Sequence, residues 1–396
     1  MYSKLTYQNL DHYFTFKHVP GIGIQFRPMN RLPCGDSFDT AKSMIRAMVY
    51  TETKNLVETN PEIHILLSGG LDSCITLRCL RAATDKKIIS HTLNYTGTWE
   101  GKNTDLEYAR MISEIYKTEH HEHIVTEREM CEDFPAIAKK LRYPFAGFVS
   151  PYFAAKMLSG VKTVFTGDLS DELFGSYKGP REASLLPVMT ACALLEWRFN
   201  LDAWCVFSET EKRKLYSPLM ASKVDFDSSF QLMRSWLPTS GDTINRMIGL
   251  DWVSAGPDQV FYSPMVLMDQ KDVSPYMSEE LIDYVTQLPG EYKVNKGNVK
   301  YVLKEAFRGE IPDVIVDRPK EGFVQPSNYW LFHNWKGWVQ SVLQEERLNE
   351  HGLFNNKYVH DLVDEYYSGN QSLQYKVWTI FCFQQWWNWG ERGCLR

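Results

Sequence analysis

The chain predicts an α/β fold, a doubly wound parallel sheet followed by a largely helical C-terminal half. Three observations carry the prediction. Between residues 61 and 177 short apolar runs alternate with segments of helical periodicity, the pattern of a parallel sheet wrapped by helices. A glycine-rich turn, Ser68-Gly69-Gly70-Leu71-Asp72-Ser73, lies between one such run and one such helix. An acidic turn, Gly167-Asp168-Leu169-Ser170-Asp171-Glu172, follows another run later in the chain. Ligands of such sheets bind beyond the carboxyl ends of the strands, where both turns fall.

Residues 1–59 read as an extension ahead of this unit. The aromatic, alternating segments His12–Phe16 and Ile22–Phe26 flank Pro20-Gly21, which predicts a short hairpin. A helix from about Thr40 to Thr59 follows, with Ala41, Met44, Ile45, Met48 and Val49 on one face. The main unit runs from 60 to 396, with a sheet core over about 60–180. Its strands are expected at Ile63–Leu67, Ile88–Tyr95, His123–Val125 and Val161–Thr166. The helices between them are expected at Cys74–Ala83, about Asp105–Tyr116, and Tyr152–Leu158. From Pro180 onward the pattern is helical and repeatedly interrupted by proline, giving a helical part over about 181–396. The aromatic C-terminus, with Trp378, Phe381, Trp386 and Trp387, reads as a core helix rather than a ligand cage.

Composition narrows the function classes. With 44% hydrophobic and 23% charged residues the 396-residue chain is of ordinary globular type. A net charge of −6 argues against a broad nucleic-acid footprint. The eight cysteines include no C-x-x-C pair, which suits a reduced, cytoplasmic compartment. Met1–Leu5 has no apolar signal core and no run is long enough to span a bilayer. Neither a membrane nor a nucleic acid is therefore expected as a partner.

The first turn carries the chemistry. Strand, glycine-rich turn and helix together aim backbone N–H groups and the positive helix end at phosphate. Gly69 and Gly70 let the backbone approach an anion, Ser68 and Ser73 add hydroxyl donors, and Leu67 ends the strand beneath them. The lysine of the G-x-x-x-x-G-K-S/T phosphate loop is absent. S-G-G-x-D-S is instead similar to the pyrophosphate-binding loop of ATP pyrophosphatases, which cleave ATP between its α- and β-phosphates. The second turn, taken alone, reads as an N-cap and a solvated loop. Beside a site for ATP it reads differently, because Mg²⁺ must neutralise the polyphosphate and carboxylates from neighbouring strand ends suit its octahedral oxygen ligation.

The two turns together resemble the synthetase domain of asparagine synthetase B and its relatives, among them β-lactam synthetase and lasso-peptide cyclase. That family runs S-G-G-x-D-S, then G-E-G-A/S-D-E-L/V-F-G-G-Y, K-x-x-L-R and R-x-K-x-G-F. Here the segments are Ser68–Ser73, Gly167–Tyr177, Lys300-Tyr301-Val302-Leu303-Lys304 and Arg318-Pro319-Lys320-Glu321-Gly322-Phe323. Weaker echoes include Asp105-Leu106-Glu107 and Ser150-Pro151-Tyr152. The resemblance implies a sheet of the ATP-pyrophosphatase (PP-loop) type with ATP and Mg²⁺ as cofactors. It implies Asp72 and Asp171 as Mg²⁺-pyrophosphate ligands, and Leu67, Ser68, Gly69, Gly70, Asp72, Ser73 and Gly167 as the nucleotide cradle. Lys320 and Asp168 take catalytic places, the lysine facing the phosphates and Asp168 beside the reacting carbonyl as base for an incoming amine. Lys296, Lys300 and Lys304, spaced by four, fall on one helix face, and of these Lys300 is the one expected to reach phosphate as a third catalytic residue. The expected reaction adenylates a small-molecule or peptide carboxylate, releases pyrophosphate and forms an amide.

Three departures bear on substrate. Only 67 residues precede Ser68 and residue 2 is Tyr, so no family-type glutaminase is expected. Nitrogen would come from free ammonia, a separate glutaminase or an amine. Asp168 replaces the family's glutamate, a carboxylate shorter by one methylene or about 1.5 Å. The family's E-x-R-x-P-F segment reads Lys271-Asp272-Val273-Ser274-Pro275-Tyr276, placing lysine on the glutamate and valine on the arginine; Asp269 or Asp272 could substitute by a register shift. His120, His121 and His123 with Glu122 invite a metal reading, but on a strand only His121 and His123 share a face, no third ligand joins them at zinc spacing, and a structural role is favoured. The alternative function is a nucleic-acid-modifying ATP pyrophosphatase that adenylates a tRNA base. Such enzymes share the first loop but usually carry cysteine pairs and a basic face, both lacking here.

Overall fold

The computed structural model describes residues 5–20, 34–96, 104–141, 143–147, 149–186, 191–201, 205–254, 268–319 and 326–390. Five parallel strands form one sheet: β1 (Ile63–Leu66), β2 (Ile88–Tyr95), β3 (Glu119–Val125), β4 (Thr163–Phe165) and β5 (Lys271–Val273), in the order β3-β2-β1-β4-β5. The central strand β1 pairs in register with β2 through Ile63–Ile88 and with β4 through Ile65–Phe165. β3, β2, β1 and β4 are the expected strands. β5 comes from the half expected to be helical, and it pairs Val273 with Phe165 at the β4 edge.

Both faces of the sheet are covered, as a doubly wound topology requires. On one face Ile63, Ile65 and Leu67 meet the helices α2 (Phe38–Thr59), α3 (Leu71–Ala83) and α4 (Thr104–Tyr116). Buried Ala41, Ile45, Val49, Thr53 and Val57 of α2 recur every four residues, so one stripe of that helix faces the core. On the other face Leu93, Tyr95 and Val125 pack against α5 (Glu127–Lys140), and Leu66 and Val164 against α6 (Ser150–Met157). The C-terminal helix Gln374–Trp389 joins that second layer with Val377, Trp378, Ile380 and Phe381 buried. Two of its indoles reach across to backbone: Trp378 Nε1 donates to the Ala146 carbonyl at 3.0 Å and Trp386 Nε1 to that of Leu141 at 3.1 Å. The aromatic tail is core.

The N-terminal hairpin is a correction. Its first arm is a helix, α1 (Tyr7–Phe16), and residues 22–26 lie outside the described residues. Thr6 and Asn9 form a capping box at its start, which satisfies two N–H groups that a helix otherwise leaves open. Leu10, Tyr13 and Phe14 then fall at three- and four-residue steps and are fully buried. The helix is tied down by a buried ion pair, Lys212 Nζ to Asp11 Oδ2 at 2.7 Å, with Tyr216 OH donating to Asp11 Oδ1 at 3.0 Å.

Candidate active site at the carboxyl ends of the strands

The glycine-rich turn leaves β1 and opens α3 with Gly70 as N-cap. Gly69 has φ +72°, and a Cβ there would lie 2.3 Å from the Asp105 carbonyl oxygen, so both conformation and crowding demand glycine. The turn closes on itself through serines. Ser73 Oγ accepts from the Ser68 N–H at 3.2 Å and lies 3.1 Å from Ser68 Oγ, which accepts from the Gly70 N–H at 3.3 Å. Leu67 is buried below the turn and Ser68 is exposed above it.

The acidic turn leaves β4 alongside. A Cβ on Gly167 would stand 2.7 Å from Asp72 Cβ and 2.9 Å from the Ser73 nitrogen, so the two turns touch and glycine permits the contact. Thr76 Oγ1 joins them from below, within 3.0 Å of the Asp72 carbonyl and 3.3 Å of that of Thr166. Leu169 holds φ 74° just before the short helix α7 (Ser170–Phe174). A left-handed leucine is costly and persists where packing over-determines it; Leu169 is buried.

Three of the expected site residues converge. Lys300 Nζ lies 2.5 Å from Asp72 Oδ2 and is also paired with Asp171 Oδ1. Both carboxylates are thus within reach of one cation. Each is held from its other side or same oxygen by a serine, Ser170 Oγ donating to Asp72 Oδ1 at 2.8 Å and Ser176 Oγ to Asp171 Oδ1 at 2.5 Å. Lys300 is buried and itself left-handed, with φ 55°. Burial and the neighbouring Lys300 charge lower the pKa of Lys304 one turn on. Lys320 lies outside the described residues.

Asp168, three residues before Asp171 on the acidic turn, is exposed. Its backbone is fixed by Ser274 Oγ, which donates to the Asp168 carbonyl at 2.8 Å. Crowding by protein, then the charges of Asp272, Glu172 and Asp171, push its carboxyl up to about 8. Glu172 is sealed, accepts from Tyr177 OH at 2.6 Å, and is pushed by burial and then Asp171 up to about 7. Asp272 on β5 is close enough to Asp168 to act on its charge, whereas Lys271 is exposed and Val273 is buried in the core. The sequence pattern flagged Asp272 only as a substitute, and nothing in it marked Ser170, Ser176 or Thr76 as supports.

The donor set suits Mg²⁺. Asp72 and Asp171 supply hard oxygens, and among the described residues no cage of three or more His, Cys, Asp or Glu is arranged for a metal. Mg²⁺ characteristically takes one or two carboxylates and completes its shell with phosphate oxygens and water. The histidines flagged in β3 have local partners: His120 Nδ1 meets Ser90 Oγ at 2.8 Å, His121 Nε2 Glu119 at 3.0 Å and His123 Nε2 Glu129 at 3.3 Å.

Known proteins resemble this chain over most of its length. The chain is 22% identical to asparagine synthetase 1 (glutamine-hydrolyzing) of Bacillus subtilis, over 90% of this chain and 61% of that protein. It is 22% identical to a putative asparagine synthetase of Mycobacterium bovis over 86% of this chain and 57% of the relative. The chicken asparagine synthetase is also 22% identical, over 88% of this chain and 57% of its own. The chain thus spans roughly three-fifths of the length of the curated relatives it matches. Residues 44–388 match the asparagine synthase family, and a mostly helical α/β chain with five parallel strands fits the PP-loop type of sheet. With the family's two turns in contact and the match covering most of its length, this chain belongs to the asparagine synthase family.

Proposed function

We propose that the chain is an ATP-dependent carbon–nitrogen ligase that adenylates a substrate carboxylate and forms an amide with ammonia or an amine. The observation that carries this reading is the convergence of Asp72 and Asp171 on Lys300 beside the glycine-rich turn. In the first half-reaction a carboxylate oxygen attacks the α-phosphorus of ATP and pyrophosphate leaves. Backbone N–H groups at the start of α3 would bind the departing phosphates, and Lys300 would move from its carboxylates toward them. Mg²⁺, held by Asp72 and Asp171, would supply charge neutralisation for the pyrophosphate. Lys320 would add a second positive charge. In the second half-reaction the amine nitrogen attacks the acyl carbon, AMP leaves, and the Asp168 carboxylate accepts the proton. The substrate is a small-molecule or peptide carboxylate, and the unpaired cysteines Cys34, Cys74, Cys79, Cys131, Cys205 and Cys382 suit a reduced, cytoplasmic setting. No helix among the described residues is long and apolar enough to cross a membrane.

The test is ATP–pyrophosphate exchange and AMP release over a panel of acids, with aspartate first. Each acid is paired with ammonium, with amines and with glutamine. Exchange that depends on one class of acid supports the reading. AMP release by no acid, or exchange that survives Asp72→Asn and Asp171→Asn, refutes it.

A further inference from the structure

Two residues flagged in the sequence, Asp105 and Arg318, have no part in the chemistry above, yet they meet at the glycine-rich turn. Arg318 Nη1 donates to the Gly69 carbonyl at 3.2 Å, and Nη2 is paired with Asp105 Oδ1. The guanidinium lies over the Tyr108 ring, 4.4 Å from its centroid, and the side chain is only 10% exposed. Asp105 and Tyr108 belong to the first turn and a half of α4, while Arg318 comes from the distant C-terminal half.

We propose that Arg318 is a positioning residue that sets the direction of the phosphate-binding N–H groups, with Asp105 holding it in place. The inference rests on the ATP reading given above. The Gly69 carbonyl and the Gly70 N–H belong to one planar trans peptide unit and point in opposite directions. Anchoring the carbonyl therefore aims the N–H. That N–H now makes only a long contact, 3.3 Å to Ser68 Oγ, and it stands at the N-cap of α3, where an anion would be received. Gly69 has φ +72° and no Cβ, so the peptide would otherwise be free to rotate. The planar fork of arginine spans a carbonyl and a carboxylate at once while stacking on an aromatic face; a lysine ammonium does only one of these. The brace also joins the sheet to the segment that carries Lys320 two residues later. Arriving phosphate would thus meet N–H groups that are already oriented.

The experiment measures binding of a non-hydrolysable ATP analogue with Mg²⁺ by titration calorimetry, with ATP–pyrophosphate exchange in parallel, on the full chain. Arg318→Met should weaken nucleotide binding and raise the KM for ATP by about 10- to 100-fold, the scale of a small misplacement of binding groups. The KM for the acid should stay within a few-fold. Arg318→Lys should recover only part of the loss. Asp105→Asn should show the same signature in milder form, and the Arg318→Met/Asp105→Asn double variant should be no worse than Arg318→Met alone. Asp105→Asn is isosteric and carries the test if Arg318→Met folds poorly. Wild-type affinity in both single variants overturns the brace, as do losses that simply add. A wild-type chain that fails to bind the analogue overturns the ATP reading and the brace together; wild-type binding with unaffected variants overturns the brace alone.

Discussion

Two clusters of titratable side chains lie on the same sheet and solve the problem of crowding in opposite ways. On the α5–α6 face three histidines stack across β1, β2 and β3. The His64 and His91 rings are 5.3 Å apart and those of His91 and His121 5.5 Å, both nearly parallel, with His64 Nδ1 3.0 Å from His91 Nε2. A neutral imidazole pair shares a proton comfortably at that distance, whereas two imidazoliums repel. Burial, then His64, His121 and His120, lower the pKa of His91 to about 4. Beyond the ends of β1 and β4 the charges are kept instead, Asp72 and Asp171 facing one another across Lys300. Within the stack, burial lowers the pKa of both His64 and His91. The carboxylates have retained their charge against a counter-ion that a cation of higher charge could displace.

The sharpest way to break the contrast is to remove a charge where charge is needed. Asp72→Asn and Asp171→Asn should each lower ATP–pyrophosphate exchange by about 10³-fold, the upper range for losing one electrostatic stabiliser. Next comes Asp168→Asn, which should leave exchange largely intact and slow amide formation by about 100-fold, a general-base effect. Because crowding by protein, and after it the charges of Asp272, Glu172 and Asp171, push the Asp168 carboxyl up to about 8, the base form is scarce at neutral pH. Amide formation should therefore rise with pH through that value, and the variant should lose the rise. Lys300→Met should leave the two aspartates facing each other and cost about 3 kcal/mol of stability, the low end for breaking a buried pair because both carboxylates are part-exposed. Thermal unfolding should show Mg²⁺ restoring part of this loss in the variant, with little effect on the wild type before nucleotide is added.

The histidine stack should give the smallest effect and the opposite kind. The folded His91 binds its proton only near pH 4, whereas in the unfolded chain it does so near its ordinary 6.5. Protons therefore favour the unfolded state, and stability should fall as pH drops from 6.5 towards 4, by about 1–2 kcal/mol from this residue. Burial lowers His12 and His351 to about 4 as well, so His91→Asn should flatten the slope in urea unfolding without abolishing it. Exchange activity measured at a fixed pH should be unchanged by that variant.

Much of the sheet was legible because its central strands are apolar runs bounded by turn residues. Ile63–Leu66 and Ile88–Tyr95 need both faces buried, and the sequence says so directly. β5 was not legible: Lys271-Asp272-Val273 has no strand pattern of its own and is recruited by the open edge of β4. α1 was misread because Tyr13, Phe14 and Phe16 suit an alternating strand as well as a helix, and the capping residues Thr6 and Asn9 decide it. α5 went unnoticed, its acidic first turn and internal Pro135 masking the buried Met130, Phe134, Ile137 and Ala138. At the site, the motifs named Asp72, Asp171 and Lys300, and the fold brings these side chains together. They did not name the brace, because Gly69, Asp105 and Arg318 meet only through tertiary structure.

The late origin of β5 also sets a timetable. β4 ends at Phe165, yet the strand that covers its edge ends at Val273. A ribosome adding about 5–20 residues per second needs roughly 5–20 s to make the intervening segment. Throughout that interval the nascent chain displays an unpaired β4 edge with the apolar Val164 and Phe165 at its centre, a template for wrong pairing. Lys300 and Arg318 emerge later still. A polypeptide stalled anywhere before them would therefore carry the glycine-rich turn without the lysine that pairs with Asp72 and the arginine that holds the Gly69 carbonyl.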